Sequence, residues 1–161
     1  MAEGTIFKFH NDLDTDQIIA SQYLLLPNLE EMKEHTFESL DTDFPKKVKP
    51  GDFVVGGENF GCGSSREQAP EIIKALGIQC VIAKSFARIF FRNSINNGLL
   101  LIEQPTLYDD IKEGDTVSVV MNEHIDYNGN EYPIASLPEN LMDIIRAGGL
   151  VKAMRKLNGL D

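Results

Sequence analysis

The sequence predicts an α/β fold, with a parallel or mixed sheet and covering helices. Three observations carry this. First, short apolar runs alternate with helical patterns through the middle of the chain: Phe53-Val54-Val55, a helix ending near Leu76, the run 79–83, a helix over 84–97 and the run 99–102. That alternation is the signature of strands joined by helical crossovers. Second, a glycine-rich stretch, 56–70, sits between an apolar run and a helix. In sheets of this class the ligand lies where strands end and helices begin. Third, the 161 residues are 42% hydrophobic and 25% charged. A chain of this size folds as one domain, here 1–161, and buries about two-thirds of its unfolded surface without staples.

Thr5-Ile6-Phe7-Lys8-Phe9 reads as a short strand. The loop 10–17 follows, dense in acidic and turn-forming residues. Its composition predicts a solvated turn that caps the Ile18-Ile19 segment. The functional reading makes Thr15 and Asp16 site residues instead. Asp12, Asp14 and Asp16 would suit a hard cation, but the calcium-loop spacing and its terminal glutamate are missing. No metal site is predicted.

Residues 23–27 form an apolar run closed by Pro27, fit either for the core or for the wall of a pocket. Residues 28–35 read as a short capped helix. Residues 41–52 read as an exposed loop or linker, with Lys46, Lys47 and Lys49 in solvent.

The central stretch carries Gly56, Gly57, Gly61 and Gly63, so the backbone can adopt positive φ and approach a ligand closely. Ser64-Ser65-Arg66 come next, at the predicted start of a helix. Ser64 with Glu67, or Ser65 with Gln68, fits a capping box, which would only start that helix. The glycines and Arg66 point beyond this to an anion site, made of free N–H groups, a helix dipole and a fork-shaped cation. The two serines allow both, one capping and the other facing the ligand. Cys62 lies in the same loop, but nothing in the sequence lowers its pKa.

The helix from Ser64 or Ser65 runs to Leu76 and stops at Gly77. In the buried run 79–83, Cys80 acts as a small hydrophobe. Over 84–97, Phe86, Ile89 and Phe90 share one helical face, while Lys84, Arg88 and Arg92 recur on another. That basic stripe is a solvated face, or one member supplies a pocket with positive field. Asn97-Gly98 closes this helix. The spacing matches neither Gly-x-Gly-x-x-Gly nor a P-loop, which disfavours dinucleotides and nucleoside triphosphates. Asn128-Gly129 between alternating runs predicts a hairpin over 116–134. Two helices end the chain, 138–147 stopped by Gly148-Gly149, and 150–157.

Formal charge is −10, which argues against nucleic acid. Two cysteines and three histidines, without Cys-x-x-Cys or His-x-x-x-His spacing, argue against zinc or an iron–sulfur cluster held by this chain alone. No apolar run is long enough to span a bilayer, and Met1-Ala2-Glu3-Gly4 opens no secretion signal. A cytoplasmic protein is expected.

Gly61-Cys62-Gly63-Ser64-Ser65-Arg66-Glu67, followed by Lys84-Ser85-Phe86-Ala87-Arg88-Ile89, resembles the swivel domain of the aconitase superfamily. With Asp14-Thr15-Asp16-Gln17-Ile18-Ile19 and this chain length, the sequence is similar to the free-standing small subunits of 3-isopropylmalate dehydratase. The resemblance runs through most of the chain in order; the hairpin and the tail follow it loosely. It implies a swivelling β/β/α domain, a mixed central sheet flanked by helices. It implies half of a two-chain hydro-lyase of leucine biosynthesis. The larger subunit would hold a 4Fe–4S cluster through three cysteines, and this chain would bind no cofactor. The substrate would be a 2-hydroxy dicarboxylate.

By the family pattern Ser64 is the base. Ser65 and Arg66, with Thr15 and Asp16, bind substrate. Tyr23, Leu24, Leu25 and Leu26 form the specificity loop. Homoaconitase-type relatives carry an arginine there for an extra carboxylate. The leucines here suit an isopropyl group and would leave a third carboxylate buried and unpaired. Dimethylmalate-type and citraconate-type substrates also suit an apolar wall. A non-catalytic carboxylate-binding module is the alternative of a different class.

Overall fold

The computed structural model describes residues 2–159. Four short strands, β1 (Ala2–Lys8), β2 (Phe53–Gly56), β3 (Cys80–Ala83) and β4 (Leu100–Glu103), run parallel. One row of register partners, Ile6, Phe53, Cys80 and Leu100, crosses all four. On the other side of β1 the sheet turns antiparallel through β5 (Thr116–Val120), β6 (His124–Tyr127) and β7 (Asn130–Pro133). The order is β4-β3-β2-β1-β5-β6-β7, the mixed sheet expected. Asn128 and Gly129 close the last hairpin with φ of 51° and 80°. Both are positive, as a two-residue turn matching the strand twist requires.

Side chains alternate across the sheet with period two. Val54, Val81 and Leu101 enter a core with Phe60, Ile73 and Phe90. Phe53, Val55, Cys80 and Ile82 enter a second core with Leu107, Val117 and Ile125. Helices α4 (Gln68–Ala75) and α5 (Arg88–Asn96) cover the first face, and α6 (Leu107–Asp110) the second.

Several short elements follow local chemistry. Asp14 caps α1 (Thr15–Ile18) in a full capping box: its carboxylate accepts from Gln17 N (2.9 Å), and Gln17 Oε1 accepts from Asp14 N (3.1 Å). Asn28 caps α2 (Leu29–Met32). The expected loop 41–52 contains one helical turn, α3 (Phe44–Lys47). Pro45 is tolerated in a first turn, and Phe44 is drawn inward against Phe7 and Phe37, with centroids 4.9 Å from each. At the end of the chain lie α7 (Glu139–Ala147) and α8 (Leu150–Leu157), separated by Gly148 at φ 91°. Lys74 Nζ donates to the carbonyls of Asn97 and Gly148, both at 2.9 Å, and so ties the ends of α5 and α7 to α4. Burial holds its pKa below the usual lysine value.

Two predicted boundaries are corrected. The helix after the glycine loop starts at Gln68, not at Ser64 or Ser65, and Glu67 at its cap makes no side-chain hydrogen bond. Neither capping box forms, because the Ser64 carbonyl accepts from Thr15 Oγ1 (2.6 Å) and the chain there is not helical. The helix expected from Lys84 starts at Arg88. Phe60 N donates to Ser85 O and Ala87 N to Phe60 O, both at 3.0 Å, so this lead-in is extended.

The unforeseen α6 has its cause in Gln104. This side chain is only 3% exposed. Its Oε1 accepts from Thr106 N (2.6 Å) and Leu107 N (2.8 Å), and its Nε2 donates to Pro133 O (3.1 Å). Gln104→Leu orphans those two amides. It should lower stability by about 2–4 kcal/mol, read as a shifted urea midpoint at unchanged m-value.

Candidate active site

The site forms where the parallel strands end. Beyond β1, β2 and β3 the chain continues as three extended segments that still pair. Gly61 N donates to Leu13 O (2.7 Å) and Thr15 N to Cys62 O (2.9 Å). Single bridges join Asp14 to Cys62 and Phe60 to Phe86. Gly61 has φ +85°, and a Cβ there would stand 2.2 Å from Phe90 Cγ. Only glycine lets this loop lie so close to α5.

Against this frame sits an open cavity of about 210 Å³. One wall is Gly63-Ser64-Ser65-Arg66; the other is the first turn of α5, with Asn93; Thr15 lines it as well. Ser64 and Ser65 are exposed. Thr15 is 2% exposed, its hydroxyl committed to the Ser64 carbonyl. Arg66 is mostly buried, ion-paired to Asp16, and donates from Nη1 to Ile19 O (2.8 Å). Those two bonds fix the guanidinium plane and leave its remaining N–H groups for a ligand. Asp16 therefore acts on Arg66.

The helix dipole comes from an unexpected place. The serines stand before α4, beyond the short reach of its terminus. It is α5 whose first turn borders the cavity. Ala87 gives it no side-chain cap, and the first N–H groups of a helix have no intrahelical acceptor. Of the basic stripe, Arg88 lines this cavity. Lys84 pairs with Asp109 at 3.0 Å, and Arg92 lines a different cavity. Asn93 was not foreseen. Its signal was its place one turn after Ile89, legible only once α5 is known to begin at Arg88.

Tyr23, Leu24, Leu25 and Leu26 do not line this cavity. They lie on or just after a 3-10 turn, Ser21–Leu25. Tyr23, Leu24 and Leu26 pack on Ile19, Met32 and Ile72, while Leu25 is 89% exposed. Tyr23 stacks on His35 at 3.8 Å and donates to Glu38 (2.6 Å), whose other oxygen bonds His35 Nδ1. The Tyr23 hydroxyl, then His35, hold the Glu38 carboxyl below its usual range. The loop reaches the cavity through Ile19, which packs under it and accepts from Arg66.

The two thiols do not fit an iron–sulfur cluster. Cys80 is buried in the second core, its pKa pushed far up by burial. Cys62, in the loop, is raised first by burial and then by Asp14 and Asp12. His124, Asp126 and Glu131 bring ligand atoms within 4.8 Å of one another, but on the hairpin outside this cavity.

Residues 9–107 match the aconitase C-terminal domain family. The chain belongs to that family. It is 63% identical over 158 residues to the 3-isopropylmalate dehydratase small subunit of Lachnospira eligens, covering 98% of this chain and 96% of that one. It is 48% identical to the isopropylmalate/citramalate isomerase small subunit of Methanocaldococcus jannaschii, covering 96% and 94%. The crystal structure of 3-isopropylmalate dehydratase from that organism superposes with a TM-score of 0.91 at 46% identity, over 97% of this chain and 94% of that one. The family match spans all three paired segments and both walls of the cavity; the hairpin, α7 and α8 lie outside it.

The fit of Gly61 against Phe90 is testable without substrate. Gly61→Ala combines a left-handed φ with a clash and should lose about 2–5 kcal/mol of stability, measured by denaturant titration.

Proposed function

We propose that this chain is the small subunit of a 3-isopropylmalate dehydratase, a hydro-lyase that interconverts 2-isopropylmalate and 3-isopropylmalate through 2-isopropylmaleate. The observation that carries this is one open cavity bounded by Ser64, Arg66 and the uncapped start of α5. The reaction removes a proton alpha to a carboxylate, forms a carbon–carbon double bond and expels hydroxide. Water then adds back in the other sense. The acid must be held by its carboxylates while a base takes the carbon-bound proton.

Ser64 Oγ is that base. A serine hydroxyl needs its oxyanion stabilised. The first-turn N–H groups of α5, with Arg66 and Arg88, supply positive field at the cavity. Arg66, held in plane by Asp16 and the Ile19 carbonyl, grips a substrate carboxylate in bidentate fashion, with Ser65 beside it. Thr15 positions Ser64 through its carbonyl. The expelled hydroxyl needs a Lewis acid, and no thiolate set here can hold one. That group, a 4Fe–4S cluster, belongs to the larger subunit, which closes over this cavity in the cytoplasm.

The apolar loop at Tyr23–Leu26 selects a branched alkyl side chain over a third carboxylate, which would be desolvated without a partner there. The name of the Methanocaldococcus jannaschii relative adds citramalate as a second substrate. It offers a smaller apolar group to the same wall.

Three measurements test this reading. Affinity capture should bring down a larger, brown, oxygen-sensitive chain. In that pair Ser64→Ala should cut kcat by about 10²–10⁴-fold while capture and substrate binding persist. Retained turnover would remove Ser64 from the chemistry, and capture of no cluster protein would favour a free carboxylate-binding module. Leu25→Arg should raise kcat/KM for a homologous tricarboxylate relative to isopropylmalate. A native pair that already prefers the tricarboxylate refutes the loop assignment.

A further inference from the structure

A second cavity, larger than the one that holds Ser64, is a groove of about 510 Å³ between α5, the end of β4 and the segment that leads into α7. Its walls are apolar: Phe91, Ile95 and Leu101 on one side, Ile134, Leu137 and Leu141 on the other. Arg88 and Arg92 also line it, four residues apart and so neighbours on one face of α5. Among the described residues neither guanidinium makes a hydrogen bond or an ion pair.

Elsewhere Arg66, Lys84, Lys47 and Arg146 all have carboxylate partners. Like charges at this helical spacing repel unless an anion lies between them. An apolar hollow of this size with a few convergent polar groups is the usual form of a small-molecule site.

We propose that this groove is a second ligand site, which takes a carboxylate with a branched or aromatic apolar body. The carboxylate pairs with Arg88 and Arg92, and the body fills the space between Ile95 and Leu141. Glu103, also in the lining, has one oxygen on Phe86 N at 3.4 Å. Its other oxygen would receive the ammonium of an apolar amino acid, so an amino acid and a simple acid share this chemistry. Arg88 borders both cavities. A ligand that draws Arg88 into the groove removes positive charge from beside Ser64 and inhibits turnover. That consequence rests on the proposed function; the binding does not.

The probes are 4-methylpentanoate, 3-phenylpropanoate, L-leucine and L-phenylalanine, with 4-methylpentanol as the uncharged control. Binding is followed by methyl and amide NMR shifts of the full chain, and inhibition is measured in the assembled pair. At least one acid should shift Ile95, Ile134 and Leu141 with a Kd in the millimolar range or tighter, while the alcohol binds at least tenfold more weakly. Arg92→Gln should weaken binding tenfold or more and relieve inhibition, with basal turnover unchanged. If that variant does not fold, Ala135→Glu, at an exposed position in the lining, should abolish binding. Tighter binding of simple acids than of amino acids assigns the former, and the reverse brings in Glu103. No shift with any acid, equal affinity for the alcohol, or insensitivity to both variants overturns the site. Binding to the chain that the assembled pair blocks also overturns it, and gives the groove to the larger subunit. Inactivity of the pair with binding intact would fault only the proposed function.

Discussion

The carbonyl oxygen of Ser64 decides the local fold. In a helix it would accept from the N–H four residues on. Here it accepts from the buried hydroxyl of Thr15, and the chain stays non-helical until Gln68. Thr15 can do this because its own N–H is bonded to Cys62, one strand over, and because Asp14 and Gln17 hold α1 in a closed capping box. The two serines are left outside any helix with their side chains exposed. Two residues on, Arg66 is anchored by groups from the same α1 segment. One short helix thus sets the height of the hydroxyls and the plane of the guanidinium.

The second constraint is electrostatic. In a chain with ten excess negative charges, positive field at the cavity is local. It comes from dipoles and few ions. The α5 terminus points into the cavity without a side-chain acceptor to quench it. Arg66 is largely withdrawn from water, where its field is screened less. Asp16 offsets part of that charge, yet its bond keeps a long side chain from sampling solvent, which lowers the entropy lost when an anion binds.

How much of this could be read from residues alone follows from the range of each interaction. The alternation of strands and helices through the middle of the chain, the Asn128-Gly129 turn, a cap for the Ile18-Ile19 segment and the stops at Gly77, Gly98 and Gly148 rest on neighbours in sequence, and these were legible. The start of α4 was not. Ser64-x-x-Glu67 is a good local cap, and only a hydroxyl 49 residues away overrules it. The same holds for α5, whose expected first turn is taken by pairing with Phe60. It holds for α6, seeded by Gln104 within a core not visible in the local pattern. At the site, the sequence marked Thr15, Ser64, Ser65 and Arg66, and the fold brings all four to one cavity. It also marked Asp16, but not that this carboxylate serves Arg66. The role of Arg88 stayed open among three stripe positions, since the phase of the stripe depends on where α5 begins.

A cavity built this way is one-sided. Its floor is the paired ends of three strands and its walls are a loop and a helix terminus, but it opens to solvent beside exposed apolar groups. Ile89, in its lining, is 55% exposed, and Leu25 stands out from the neighbouring loop. Apolar side chains exposed to this extent favour being covered. A lid that covered them would also expel water from around Ser64 and Arg66. Every hydrogen bond and ion pair there would then strengthen, because the local dielectric falls. The chain presents donors in a geometry fixed by its own core, and a surface that closed over the cavity would put those donors in a drier medium. Exposed apolar groups and the polar floor thus favour the same event, because a cover that hides the first would strengthen the bonds of the second.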